Sequence, residues 1–218
     1  MKKIFFSILL FFVSFVAVFA QKLTEKEKVV FNEIAYHRFK TGEYEKIHKW
    51  VIPIRYKVIG DSSKYILDEI DTTFSQLAKL TNLDIQKSDD DDEVNFVIAL
   101  RNDVETVAQL SEHAKRYANT TGGFAYKANK KSEIYRLERV FAISKYRNKA
   151  DVRYAVKKGI VGGFGLFKKS ENAPKSLFYE ANNGKLKIDA FDSAIISAFY
   201  NQNIKPGMTK EEVDPLLQ

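Results

Sequence analysis

Val94-Asn95-Phe96-Val97-Ile98-Ala99-Leu100 carries one polar residue in seven, so neither face of the run alternates out to water. A segment this short and this apolar reads as a strand buried on both faces. It anchors the interior of the fold, and its neighbours supply the cover. Ile66, Ile70, Phe74, Leu77 and Leu80 fall three or four apart and predict an amphipathic helix. Trp50 to Ile59 reads as a strand that alternates after Pro53, and the proline confines its first half to an edge or a strand start. Thr24-x-x-Glu27 is a capping-box pattern, and Val29, Val30, Ile34 and Phe39 predict a helix over about 24–40.

Beyond the buried strand, Asp103 to Tyr117 has a helical pattern. Gly122-Gly123 marks a turn into Phe124-Ala125-Tyr126, and Ile134 to Ser144 predicts another strand. From Asp151 the pattern is helical through Val152, Val156, Ile160 and Phe164. Asp189 to Tyr200 is a further helix, and Thr209-x-x-Glu212 caps a short last one. Strands and helices mix without strict alternation. The expected class is therefore α+β, a mixed twisted sheet packed against helices.

The first twenty residues stand apart. Lys2 and Lys3 precede an uncharged run from Ile4 to Ala20, and Val18-Phe19-Ala20 places small residues where a signal peptidase cuts. This is the pattern of a secretory signal peptide, residues 1–20, cleaved near Ala20-Gln21, leaving no stable membrane insertion. The expected location is periplasmic or extracellular. The 218 residues carry 35 Lys+Arg and 28 Asp+Glu, a formal charge of +7; losing Lys2 and Lys3 leaves +5. An excess this mild on an exported chain does not point to nucleic acid. With 0 Cys, disulfides, thiol catalysis and thiolate zinc sites are excluded.

Most catalytic patterns fail on spacing. Gly159, Gly162, Gly163 and Gly165 fit neither the dinucleotide fingerprint nor a phosphate-binding loop, and read as glycines that allow close helix packing and then end the helix. His37, His48 and His113 lie far apart, with no pair at i, i+4. The acids at Asp89 to Asp92 lack the alternating ligands and turn glycine of a calcium loop and read as a solvated loop.

Several weak motifs in a fixed order carry a family resemblance. They are Trp50-Val-Ile-Pro-Ile-Arg and the helix after it, Val140-Phe-Ala-Ile-Ser, Ile160-Val-Gly-Gly-Phe-Gly-Leu, Pro174-Lys-Ser-Leu-Phe-Tyr, Leu186-Lys-Ile-Asp-Ala-Phe-Asp, Phe199-Tyr200 and Pro206-Gly-Met-Thr. Over about residues 48–217 the chain resembles the bacterial exported family catalogued as domain of unknown function 2927. That family in turn resembles metzincin-type zinc peptidases, built on His-Glu-x-x-His-x-x-Gly-x-x-His. Laid on this chain with its glycine at Gly165, the pattern puts the ligand positions at Lys158, Gly162 and Lys168. The catalytic Glu falls at Gly159 and the Met of the turn beneath the metal near Phe178. Each functional residue is replaced. A lysine ammonium is a poor zinc ligand at neutral pH, and glycine offers no side chain.

The resemblance implies a single zincin-like domain over 48–218, with a helical lead-in over 21–47, that has kept the scaffold and lost the metal and the catalytic residues. No cofactor is expected. Lys157, Lys158, Lys168 and Lys169 bracket the ancestral site and are the candidate ligand-binding residues for an anionic group, such as a peptide carboxylate or an acidic polymer. The expectation is a pseudoenzyme that acts by binding an anionic ligand or another exported protein. The alternative is a hydrolase using an unrecognised metal site or carboxylates away from that helix, for which Glu133, Glu138, Asp189 and Asp192 are available.

Overall fold

The computed structural model describes residues 22–61, 63–101, 109–117, 120 and 122–217. The leader segment and residues 103–108 of the expected helix lie outside them. Eight strands are described: β1 (Tyr36–His37), β2 (Lys46–Ile47), β3 (Lys49–Trp50), β4 (Ile54–Gly60), β5 (Ile85–Lys87), β6 (Phe96–Arg101), β7 (Gly122–Ala128) and β8 (Glu133–Ala142). The helices are α1 (Glu25–Ile34), α2 (Lys64–Thr81), α3 (Glu112–Lys115), α4 (Lys149–Gly162), α5 (Ala190–Phe199) and α6 (Lys210–Val213).

The sheet is mostly parallel. β5, β4, β6 and β8 lie side by side in one direction. Antiparallel β7 pairs with β8, and β3 pairs in parallel with Glu133 and Ile134 at the start of β8. Trp50 and Ala128 both pair with Ile134, so they take opposite edges of that strand. Parallel neighbours cannot be joined by a tight turn, and α2 is the crossover that carries the chain from β4 to β5.

β6 is buried as its sequence requires. Phe96, Ile98 and Leu100 enter the main core, while Ala99 joins Leu110, Ala114 and Val140 in a second, smaller cluster. Ile66, Ile70, Phe74 and Leu77 of α2 are buried in the main core, which also holds Trp50, Phe31, Phe141, Phe164 and Phe199. Each such side chain contributes about 1.5–3 kcal/mol when fully buried.

Two expectations need correction. The first helix stops at Ile34 rather than running to about 40, because Tyr36 and His37 pair with Ile47 and Lys46 instead. Phe39 is consequently 42% exposed rather than part of a helix face. The strand expected over 50–59 is two strands, β3 and β4, divided by exposed Val51, Ile52 and Pro53. The capping box at Thr24 forms as expected, with Thr24 N donating to Glu27 Oε2 at 2.7 Å. Asp189 caps α5 by accepting from Asp192 N at 3.1 Å.

Lys49 is buried and points to the C-terminal end of α5. Its Nζ donates to the carbonyls of Phe199 (3.1 Å), Asn201 (3.3 Å) and Ile204 (2.6 Å). Burial, with a smaller push from Lys205, lowers its pKa to about 8. Among the described residues no helix is long and apolar enough to cross a membrane.

Candidate binding cleft

Asn148 opens α4 by accepting from Asp151 N at 2.9 Å, and the helix ends at Gly162 against the sheet. Gly165 follows in a left-handed conformation, φ +97°, and a Cβ there would come within 2.0 Å of His48 O. Only glycine fits this turn. Trp50 Nε1 donates to Gly163 O at 3.0 Å and Tyr200 Oη to Phe164 O at 2.9 Å, which hold the turn onto the core. The glycine-rich stretch thus packs and ends a helix, as its spacing suggested.

Beyond the turn the chain runs back over a cleft of about 430 Å³. Lys158, Gly162, Lys168, Lys169 and Phe178 all line it, together with Phe124 of β7. Lys157 does not. One residue before Lys158, it projects from a different face of α4, where its Nζ lies 2.8 Å from Glu69 Oε1 and donates to Leu186 O at 2.8 Å. Of the four expected lysines, three share the cleft and one joins α4 to α2.

The three differ in their partners. Lys158 Nζ donates to Tyr154 Oη at 2.9 Å and to the carbonyl of Tyr179, and burial, with Lys169 nearby, lowers its pKa to about 8. Lys168 pairs with Glu45 at 2.6 Å, which ties the segment between β1 and β2 to the cleft rim. Lys169 is exposed. Phe167 stacks on Phe124 with ring centroids 5.0 Å apart and on Tyr126 at 4.5 Å, forming an apolar wall.

A fourth cation, Arg139, was not among the expected site residues. It sits on β8 between Leu137 and Phe141 in the inward phase of the strand, and its guanidinium lies 5.3 Å from the Phe124 ring centre and 5.4 Å from that of Phe141. Its Nε has no hydrogen-bond partner among the described residues. A Cβ on Gly159 would lie 2.7 Å from that Nε, so the glycine makes room for the arginine. Burial lowers the Arg139 pKa to about 10, which leaves it charged at neutral pH. The signal was present in the sequence, since a charged residue stands in the apolar phase of a strand. Two acids, Asp151 and Glu180, face the four cations.

The carboxylates considered for other chemistry lie elsewhere. Glu138 Oε2 accepts from Ser111 Oγ at 2.6 Å, and buried Asp192 accepts from Ser176 Oγ at 2.6 Å and pairs with Lys185 at 2.7 Å. Glu133 accepts from Asn129 Nδ2 at 2.6 Å, and Asp189 is a helix cap. None lines the cleft.

His37 and His48 meet edge to face, ring centroids 6.2 Å apart, and His37 packs on Phe167 at 5.3 Å. Among the described residues no three His, Asp or Glu are grouped to hold a metal ion. Burial lowers the pKa of both rings; Lys168 adds to this at His37, and His37 adds to it at His48. Between the unfolded value near 6.5 and the lowered folded values, the unfolded chain binds more protons, so stability rises with pH. Acidification from pH 7.5 to 5.5 will therefore lower the urea midpoint. In the His37→Gln/His48→Gln variant that drop will be smaller; an equal drop would mean that neither ring is involved.

The family described as Protein of unknown function (DUF2927) matches residues 25–218. The chain belongs to this family. Its extent takes in the lead-in helix α1 as well as the cleft, consistent with Val30, Phe31 and Ile34 of α1 lying in the main core. No curated protein matches the chain.

Proposed function

We propose that this domain is an exported, non-catalytic binding protein on a zincin-like scaffold, and that its cleft takes an anionic group, such as a peptide carboxylate or an acidic polymer. One observation carries the reading. Arg139, Lys158, Lys168 and Lys169 converge on one cleft, and Gly162 lines it as well, so all three positions that the metzincin pattern would assign to histidines, Lys158, Gly162 and Lys168, lie in one place.

The residues present do not fit a zinc ion. Two of the three positions bear ammonium groups, the third has no side chain, and the neighbouring Arg139 adds charge of the wrong sign. The same charges suit an anion. Lys169 and the arginine face the ligand, while the more fully engaged Lys158 and Lys168 act through their charge in a partly desolvated space. Lys157 stays in its pair with Glu69 and takes no part.

The test uses residues 21–218, which contain the whole described fold. After incubation with zinc and dialysis, elemental mass spectrometry will find less than about a tenth of an equivalent; one held equivalent would overturn the reading. Poly-glutamate and a peptide with a free carboxyl terminus will bind at low salt, and the peptide amide more weakly. Lys158→Glu and Lys169→Glu will each weaken binding roughly tenfold, about 1.4 kcal/mol. Binding will also weaken above about pH 8, where Lys158 loses its proton. Affinity that ignores both substitutions would place the ligand elsewhere.

A further inference from the structure

A second basic surface shares no residue with the cleft. Lys46, Lys130, Lys131 and Lys205 surround a shallow hollow of about 580 Å³, with Val51 and Met208 between them. Its two acids are engaged within the fold. Glu133 holds Asn129, and Glu212 accepts from Thr209 N at 2.8 Å in the cap of α6. Lys49, which pairs with Glu133 in the sheet, gives its hydrogen bonds to carbonyls.

The lysines are presented on fixed backbone. Asn129 Oδ1 accepts from Lys131 N at 2.9 Å and Glu133 N at 3.1 Å, which sets the turn bearing Lys130 and Lys131. Gly207 N donates to Ile47 O at 2.8 Å and Ile47 N to Met208 O at 2.9 Å, clamping the far rim. The Trp50-Val-Ile-Pro and Pro-Gly-Met-Thr segments, far apart in sequence, meet here.

Beside the lysines the chain exposes three apolar residues in succession. Val51 is 45% and Ile52 39% exposed, and Pro53 is exposed as well. Fully buried Trp50 and Ile54 hold the tripeptide out from both ends. Scattered exposed apolar side chains are ordinary. Consecutive ones flanked by lysines, here forming no ion pair among the described residues, are the arrangement that enters the boundary between headgroups and acyl chains.

We propose that this face docks on an anionic lipid surface, with the lysines on the headgroups and Val51 and Ile52 in the boundary. A hydrated polyanion would use the lysines but would leave the apolar tripeptide in water, which is why lipid is the favoured partner.

The experiment is co-sedimentation of residues 21–218 with vesicles of phosphatidylcholine alone or with about 30% phosphatidylglycerol. Binding will require the anionic lipid and will be lost at about 0.5 M salt. Lys130→Glu/Lys131→Glu will weaken it at least tenfold. Val51→Ser/Ile52→Ser will weaken vesicle binding several-fold while leaving retention on heparin unchanged. Lys158→Glu in the cleft will leave vesicle binding unchanged, so failure here and failure of the cleft are separable. The substitutions at Val51, Ile52, Lys130 and Lys131 are on exposed side chains and leave the core intact, and near-ultraviolet circular dichroism will verify the fold of every variant. No binding to anionic vesicles, or binding indifferent to the lysine pair, would overturn the proposal. So would vesicle binding that survives loss of Val51 and Ile52, which would assign the face to a polyanion.

Discussion

The variant Lys158→His/Gly162→His/Lys168→His will hold about one equivalent of zinc where the parent chain holds almost none. The expectation follows from three features of α4 and the turn after it. Positions 158 and 162 lie one turn apart on the cleft side of α4, the helix stops at Gly162, and Gly165 turns the chain so that residue 168 returns to the same cleft. Two imidazoles at i, i+4 and a third from the returning segment leave a fourth position open, as in a catalytic zinc site. Arg139 will weaken the affinity, and adding Arg139→Gln will strengthen it. Zinc at about a hundredfold over its Kd stabilises by about 2.7 kcal/mol, so the melting temperature will rise with zinc in the variant alone. Peptidase activity will not accompany the zinc, because a Glu at 159 would displace Arg139 and meet Phe141 Cζ, 2.5 Å from a Cβ there. A folded triple variant that takes up no zinc would remove the zincin-like reading of this scaffold.

Gly165→Ala will cost about 3 kcal/mol or more, a large loss for the addition of one methyl group. A left-handed residue with a Cβ costs about 1 kcal/mol in backbone strain alone. Here the Cβ would also press on the backbone of His48, which cannot rotate away as a side chain tip would. Moving His48 would disturb Lys49 and Trp50, the next two residues of the chain, and with them the caps of α5 and of the turn after α4. Urea denaturation against Gly184→Ala is the measurement. Gly184 also has positive φ, +67°, but nothing lies within 4 Å of its missing Cβ, so its loss will be near the strain value alone. Equal losses at the two sites would show that the contact with His48 carries no weight.

The main elements could be read from the sequence where one periodicity ran unopposed. α2 has a clean apolar stripe, β6 has none to offer water, and the caps at Thr24 and Asp189 are written in adjacent residues. The end of α1 could not be read, because the helical spacing continues to Phe39 while Tyr36 and His37 are claimed by pairing with a segment ten residues on. Local preference lost to a tertiary partner. β5 escaped notice because a three-residue strand of Ile-Gln-Lys carries too little pattern. At the cleft, the family resemblance points to Lys158 and Lys168, through the metzincin pattern laid on the helix and its turn. Spacing could not separate Lys157 from Lys158, since adjacent residues on a helix point about 100° apart and only the position of Glu69 decides which face is which. Arg139 lies in another element altogether, and its role depends on a glycine twenty residues away.

Phe31 of α1 packs against Phe199 of α5, ring centroids 6.1 Å apart, so the first described helix is completed by one of the last. A growing chain therefore cannot cover this face of α1 early. Until α5 arrives, Phe31 has its local partner Tyr36 but lacks Phe199, and that closing contact spans most of the sequence. Contacts of that separation slow folding because the loop must be closed before the contact returns anything. The first helix consequently waits for nearly all of the chain, and a stalled or shortened chain will expose this face of it to chaperones and proteases.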